Sequence, residues 1–134
     1  MPDFVLANLS DDLLEHTIMM CGKIKDKQDE RYSDGKSLRF PAHLYDDIIP
    51  QVKLSANDIL KNILLANTTK ELDKRLELQE TALGLCVYLN HMIMIFKRLG
   101  YISSKQRDFW QRKIFNIETK IKNWIESDRR RFGS

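Results

Sequence analysis

Cysteine, proline and glycine are scarce in this chain, and each shortage excludes something. Two cysteines in 134 residues do not make the disulfide framework of a small secreted domain. Cys21 and Cys86 both fall inside apolar patterns of helical spacing, where free buried thiols are expected. Three prolines and five glycines, beside 31% charged residues, suit a helical protein rather than a turn-rich one. No uncharged apolar run reaches the roughly 18 residues of a membrane-spanning helix. The first residues lack a signal-peptide pattern, so a soluble cytoplasmic chain without membrane contact is expected.

Chemistry-bearing motifs are missing as well. There is no HExxH, CxxC, P-loop or GxGxxG. His16, His43 and His91 lie in three separate segments, and no Glu-x-x-His pair of the di-metal four-helix kind occurs. The expectation is a non-enzymatic protein with no catalytic residue, no metal and no cofactor.

What is present is helical periodicity. The segment 68–100 carries Leu78, Ala82, Leu85, Leu89, Met92, Phe96 and Leu99 at alternating steps of four and three, which places them on one helical stripe and is a period no strand produces. Thr68 with Glu71 has capping-box spacing. Lys97 and Arg98 suit the last turn, and Gly100 can take positive φ just past it. From Tyr88 to Phe96 the residues are apolar all round the wheel, so one packed face cannot cover them. Tyr88, His91, Met92 and Ile95 are the candidate contacts with a second subunit, the plainer alternative being cover from a loop or the N-terminal segment.

Three further helices follow from the same reasoning. Ser10 is placed as an N-cap, with Asp11 and Asp12 in the first turn and Leu9 and Leu14 spaced as a hydrophobic staple. Leu13, Thr17, Met20 and Ile24 continue that helix to about Lys27. Residues 28–38 are charged, turn-rich and without an apolar period, which predicts a mobile linker. Pro41 and Pro50 bracket a stretch where a short helical turn has room to form. Pro50 suits a first helical turn, and Val52, Ala56, Ile59, Ile63 and Ala66 mark a buried stripe behind it. Ser103 with Gln106 offers another capping box, opening a helix whose stripe is Trp110, Ile114, Ile117, Ile121 and Trp124. The expected architecture is all-α, a single domain over 1–134, with helices at about 10–27, 50–66, 69–99 and 104–130. Short joints between the later helices predict an antiparallel up-down four-helix bundle.

The net charge of +3 is modest but unevenly spread. Residues 1–67 hold 8 Lys and Arg against 11 Asp and Glu, and residues 68–134 hold 14 against 8. At about 100° per residue, Lys105, Arg112, Lys113, Lys120, Arg130 and Arg131 share a sector of about 100° opposite the Trp110 stripe. Asn116, Asn123, Ser127 and an exposed Phe109 lie in the same sector, and no acid does. Cations with hydrogen-bonding side chains and one aromatic suit phosphate contacts with occasional base stacking, largely indifferent to sequence. The plainer alternative is a solvated face, since Asp108 with Arg112, Glu118 with Lys122 and Glu126 with Arg130 have the i, i+4 spacing of ordinary helix pairs.

Four short motifs carry a family resemblance: RFP at Arg39–Pro41, AN at Ala66–Asn67, LGYISSKQ at Leu99–Gln106 and IKNWIESDRR at Ile121–Arg130. They resemble the small four-helix proteins that include the accessory variability determinants (Avd) of diversity-generating retroelements and the proteins encoded in intervening sequences of bacterial 23S ribosomal RNA genes. The similarity covers about 39–131, with the Avd-like group preferred. It implies a four-helix bundle assembled as a homopentameric barrel, positively charged, that binds RNA or DNA and the retroelement's reverse transcriptase in support of mutagenic copying. The family has no short catalytic motif to carry over. Two alternatives stand beside this expectation: an intervening-sequence protein of unspecified role, and a helical protein-interaction module for which nucleic acid is irrelevant.

Overall fold

The computed structural model describes residues 2–33 and 47–132, and these form four helices with no strand among them: α1 (Pro2–Ser33), α2 (Ile49–Thr68), α3 (Leu72–Arg98) and α4 (Ser104–Phe132). Helix α1 packs on α2, α2 on α3, α3 on α4 and α4 on α1. Each helix therefore meets two neighbours, and the apolar stripes converge on one core.

The local reasons for these helices are mostly those the residues announce. Pro50 sits in the first turn of α2, where its missing N–H costs no hydrogen bond. Val52, Ala56, Ile59, Ile63 and Ala66 are fully buried behind it. Helix α3 ends in a Schellman motif: Gly100 has φ 80°, its N–H donates to the Lys97 carbonyl at 3.0 Å, and the Tyr101 N–H donates to the Phe96 carbonyl at 2.9 Å. At the front of α4 the Gln106 N–H donates to Ser103 Oγ at 3.0 Å while the Ser103 N–H donates to Gln106 Oε1 at 2.8 Å. This is the reciprocal capping box expected there.

Other expectations are corrected. Ser10 is no cap: α1 begins at Pro2, and Ser10 lies buried inside it, its hydroxyl donating to the Leu6 carbonyl at 2.8 Å. A serine that bonds its own preceding turn is satisfied in a helix interior. Leu9 and Leu14 accordingly pack at the edge of the core rather than as a staple. The helix also runs past Lys27 to Ser33, with Gln28 buried, so 28–33 are helical. The rest of the expected linker, Arg39–Pro41 and His43 lie outside the described residues.

The Thr68–Glu71 capping box does not form either. Thr68 belongs to α2 and its hydroxyl donates back to the Leu65 carbonyl at 3.0 Å. Glu71 occupies the N-cap of α3 in extended conformation without a side-chain cap bond, and its carboxylate meets Lys74 at 3.4 Å. On α3 the buried side is Gln79, Ala82, Cys86, Leu89, Met92, Ile93 and Phe96, with Leu78, Leu85 and Leu99 only partly covered. The stripe is wider than expected and turned toward Cys86 and Ile93, because α3 must face both α2 and α4.

Two contacts join the helices at identified points. Near the start of α3, Arg75 reaches the carboxylate of Asp128, near the end of α4, through Nε at 2.6 Å and Nη2 at 3.2 Å. Gln79 Nε2 adds a third bond to it at 2.7 Å. Asp128 is 1% exposed, so this fork supplies what water would have. The Arg75 guanidinium also lies 5.0 Å from the centre of the Trp124 ring. Farther along, Phe96 near the end of α3 stacks on Trp110 near the start of α4, ring centres 6.4 Å apart. The indole N–H of Trp110 donates to Thr17 of α1 at 3.2 Å.

Replacing Asp128 by Ala strands the Arg75 charge and should cost about 3 kcal/mol, read as a fall in the urea midpoint at unchanged slope. A loss well under about 1 kcal/mol would mean the pair behaves like a screened surface bridge.

Candidate nucleic-acid interface

Trp110, Ile114, Ile117, Ile121, Trp124, Ile125 and Asp128 turn one side of α4 into the core. The opposite side is left to solvent, and that is where the basic residues stand. Lys105, Phe109, Arg112, Lys120, Arg130 and Arg131 are all exposed, along about 40 Å of helix from Lys105 to Arg131. Asn116 and Asn123 are exposed between them and Ser127 is partly so. Lys105, Arg112, Lys120 and Arg130 form no ion pair among the described residues.

Lys113 differs from the rest. It is partly buried, pairs with Asp12 of α1, and holds its ammonium 4.7 Å from the centre of the Phe109 ring. The expectation of a sector free of acids holds along α4 alone; the neighbouring helix brings an acid to it. Asp108 pairs with Arg107 at 3.0 Å, not with Arg112.

Phe109 is 53% exposed. On its inner side it meets His16 of α1 edge-on, ring centres 5.2 Å apart, and His16 in turn lies edge-on to Trp110 at 6.0 Å. His16 Nε2 is enclosed and has no hydrogen-bond partner. Burial lowers the pKa of His16, the Lys113 charge lowers it further, Asp12 opposes and Lys23 adds a smaller push downward. The imidazole is therefore held neutral at pH 7, wedged beneath the exposed ring. No sequence motif pairs His16 with Phe109; their meeting comes from the packing of α1 on α4.

The residues considered for subunit contact lie in mixed surroundings. His91 is exposed, Ile95 is 38% exposed, Tyr88 is partly buried against the core and Met92 is buried in it. Apolar exposure the spacing did not single out is larger: Leu54, Leu64 and Leu65 on α2, and Phe115 on α4 at 65%. An open groove on α2 is lined by Leu60, Leu64, Leu65, Asn57 and Lys61.

Cys21 and Cys86 are buried free thiols, pushed up by burial to about 11 and about 12 respectively, so neither is a ready nucleophile near neutral pH. No group of three or more potential metal ligands occurs among the described residues. No helix among them is long and apolar enough to cross a membrane. No protein-family model matches this chain, and no curated protein sequence matches it.

The partly buried, neutral state of His16 makes a signed prediction. A folded-state pKa below the usual 6.5 contributes stability that is complete above that value and is lost as pH falls through the folded pKa. Urea midpoints of the wild type should drop more between pH 7.5 and pH 5 than those of His16→Gln. Equal drops, or a His16 ring signal titrating above 6.5 by NMR, would contradict the assignment.

Proposed function

We propose that this chain is a non-enzymatic nucleic-acid-binding protein that works as an oligomer, its α4 strip lying along phosphates. The observation that carries the reading is the row of exposed, unpaired cations Lys105, Arg112, Lys120 and Arg130 with Phe109 among them. Phosphate contacts of this kind bind by releasing counterions and do not read sequence. A few cations per subunit bind weakly, and copies gathered in one assembly add their contacts.

The architecture that suits this role is an antiparallel up-down bundle. Arg75 with Asp128 at one end and Phe96 with Trp110 at the other support opposite directions for α3 and α4. Asp12 with Lys113 and His16 with Phe109 support the same relation between α1 and α4. The motif resemblance at Leu99–Gln106 and Ile121–Arg130 extends the proposal to a homopentameric barrel that serves a retroelement reverse transcriptase in the cytoplasm, the chemistry belonging to the polymerase. Tyr88, His91 and Ile95 remain the proposed subunit contacts, while Met92 is taken up by the core of its own chain. A second reading, a helical protein-interaction module, is favoured by the exposed Leu54, Leu64 and Leu65 on α2.

Four phosphate contacts per subunit give a slope of log affinity against log salt of about −3 for single strands. RNA binding should therefore weaken steeply between low and physiological salt. The combined variant Lys105→Glu, Arg112→Glu, Lys120→Glu should bind at least about tenfold more weakly at the same mass by light scattering. Salt-independent binding would refute the mechanism, and a well-folded wild type that binds no RNA would favour the interaction module.

A further inference from the structure

Where α1 meets the start of α4, the apolar surface and the positive charge of the interface come together. Beside Phe109 opens a cavity of about 210 Å³ lined by His16, Met19 and Met20 together with Lys23, Lys105 and the Phe109 ring. Met19 is 47% exposed at its rim. Resting on the nucleic-acid reading above, we propose that this corner is a base-stacking site selective for single-stranded nucleic acid. An unpaired base lies against Phe109 at the mouth of the cavity, and Lys23, Lys105 and Arg112 hold the phosphates on either side.

Three observations converge on that ligand. The Phe109 ring is half in solvent with the Lys113 ammonium 4.7 Å from its centre, so an unstacked base can take the place of that ammonium on the ring, which a paired base inside a duplex cannot do. The cavity lining joins the Met19 and Met20 thioethers to the His16 and Phe109 rings, with Lys23, Lys105 and Gln106 as its polar part, a mixture of soft apolar surface and charge suited to a flat heterocycle. The cations at its edge keep their charge for phosphate: Lys23, Lys105 and Arg112 make no ion pair among the described residues, while the nearby acids are engaged, Asp12 by Lys113 and Asp108 by Arg107.

The charge of the strip alone predicts binding to duplex and single strand alike, so the stacking site is separable from it. Fluorescence anisotropy with a labelled oligo(U) strand and a blunt RNA duplex of equal length, compared at each of several salt concentrations, should show the wild type preferring the single strand. Phe109→Leu keeps an apolar side chain but removes the π face. It should weaken oligo(U) binding by about 5- to 150-fold, the range of one lost base–aromatic stack, without changing the salt slope. Phe109→Trp should bind like the wild type, and Phe115→Ala, an exposed aromatic away from the corner, should bind within about twofold of it. Wild-type binding that is steeply salt-dependent but indifferent to Phe109→Leu, or equal for duplex and single strand, would overturn the stacking site and leave the phosphate strip standing. Failure to bind either strand at low salt would overturn both.

Discussion

A carboxylate with 1% of its surface exposed has lost its water and must find hydrogen-bond donors inside the protein, and Asp128 is in that position. Arg75 and Gln79 supply three hydrogen bonds to it, and the same guanidinium lies against Trp124. Two carbonyls at the end of α2, Ala66 and Thr69, sit 3.5 Å from Arg75 Nη1. One ion thus gathers the end of α2, the start of α3 and the end of α4. Slipping α3 along α4 by a turn would strand a charge on each side, so the register of those helices is held far more firmly than apolar contacts alone would hold it. Trp110, stacked on Phe96 and bonded to Thr17, plays the apolar counterpart toward the other end of α4.

With α4 fixed at both ends, its rotation about its own axis is fixed too. Trp110 and Ile114 must turn inward, and Lys105, Phe109, Arg112 and Lys120 are carried outward as a consequence. The candidate interface is in this sense a by-product of core packing: residues on the side of a helix away from its buried stripe need no further positioning. Helix α1 then modifies what α4 presents. Asp12 takes Lys113 out of the row of free cations, His16 fills the space behind Phe109, and Lys23 and Met19 extend the surface onto a second helix. The strip is uniform when α4 is viewed alone. Beside α1 it acquires a distinct corner, where charge and an aromatic ring adjoin a cavity.

Much of the fold was legible because helix boundaries are often written in local chemistry. Pro50, Gly100 and the Ser103–Gln106 pair each stand where their backbone requirements place them, and the stripes of α2 and α4 match their spacing. The failures share a cause. Ser10 followed by two aspartates, and Thr68 followed by Glu71, carry the residues of a cap, yet their hydroxyls donate to carbonyls of the preceding turn. Cap and interior use the same side chains, and at Ser10 the choice between them depends on whether Leu6 has a core to enter. The charged end of α1 misled in the opposite way, since Gln28 is buried where polarity suggested a linker. The exposed positions of the α4 strip were legible because they follow from the wheel. The Asp12 contact with Lys113 and the position of His16 beneath Phe109 were not, because each joins residues about ninety to a hundred positions apart.

Composition and periodicity by themselves determined that this chain is helical, that its core is built from stripes of Ile, Leu, Met and Trp, and that its basic residues gather on one side of the last helix. Those are properties of a single helix, set by an interval of 3.6 residues and by the chemistry of its ends. The length of α1, the turning of the α3 stripe, the buried Arg75–Asp128 fork and the corner around Phe109 were decided only in the tertiary structure. Each depends on which surface of one helix is removed from water by another, and that free energy belongs to the pair of helices rather than to either sequence segment.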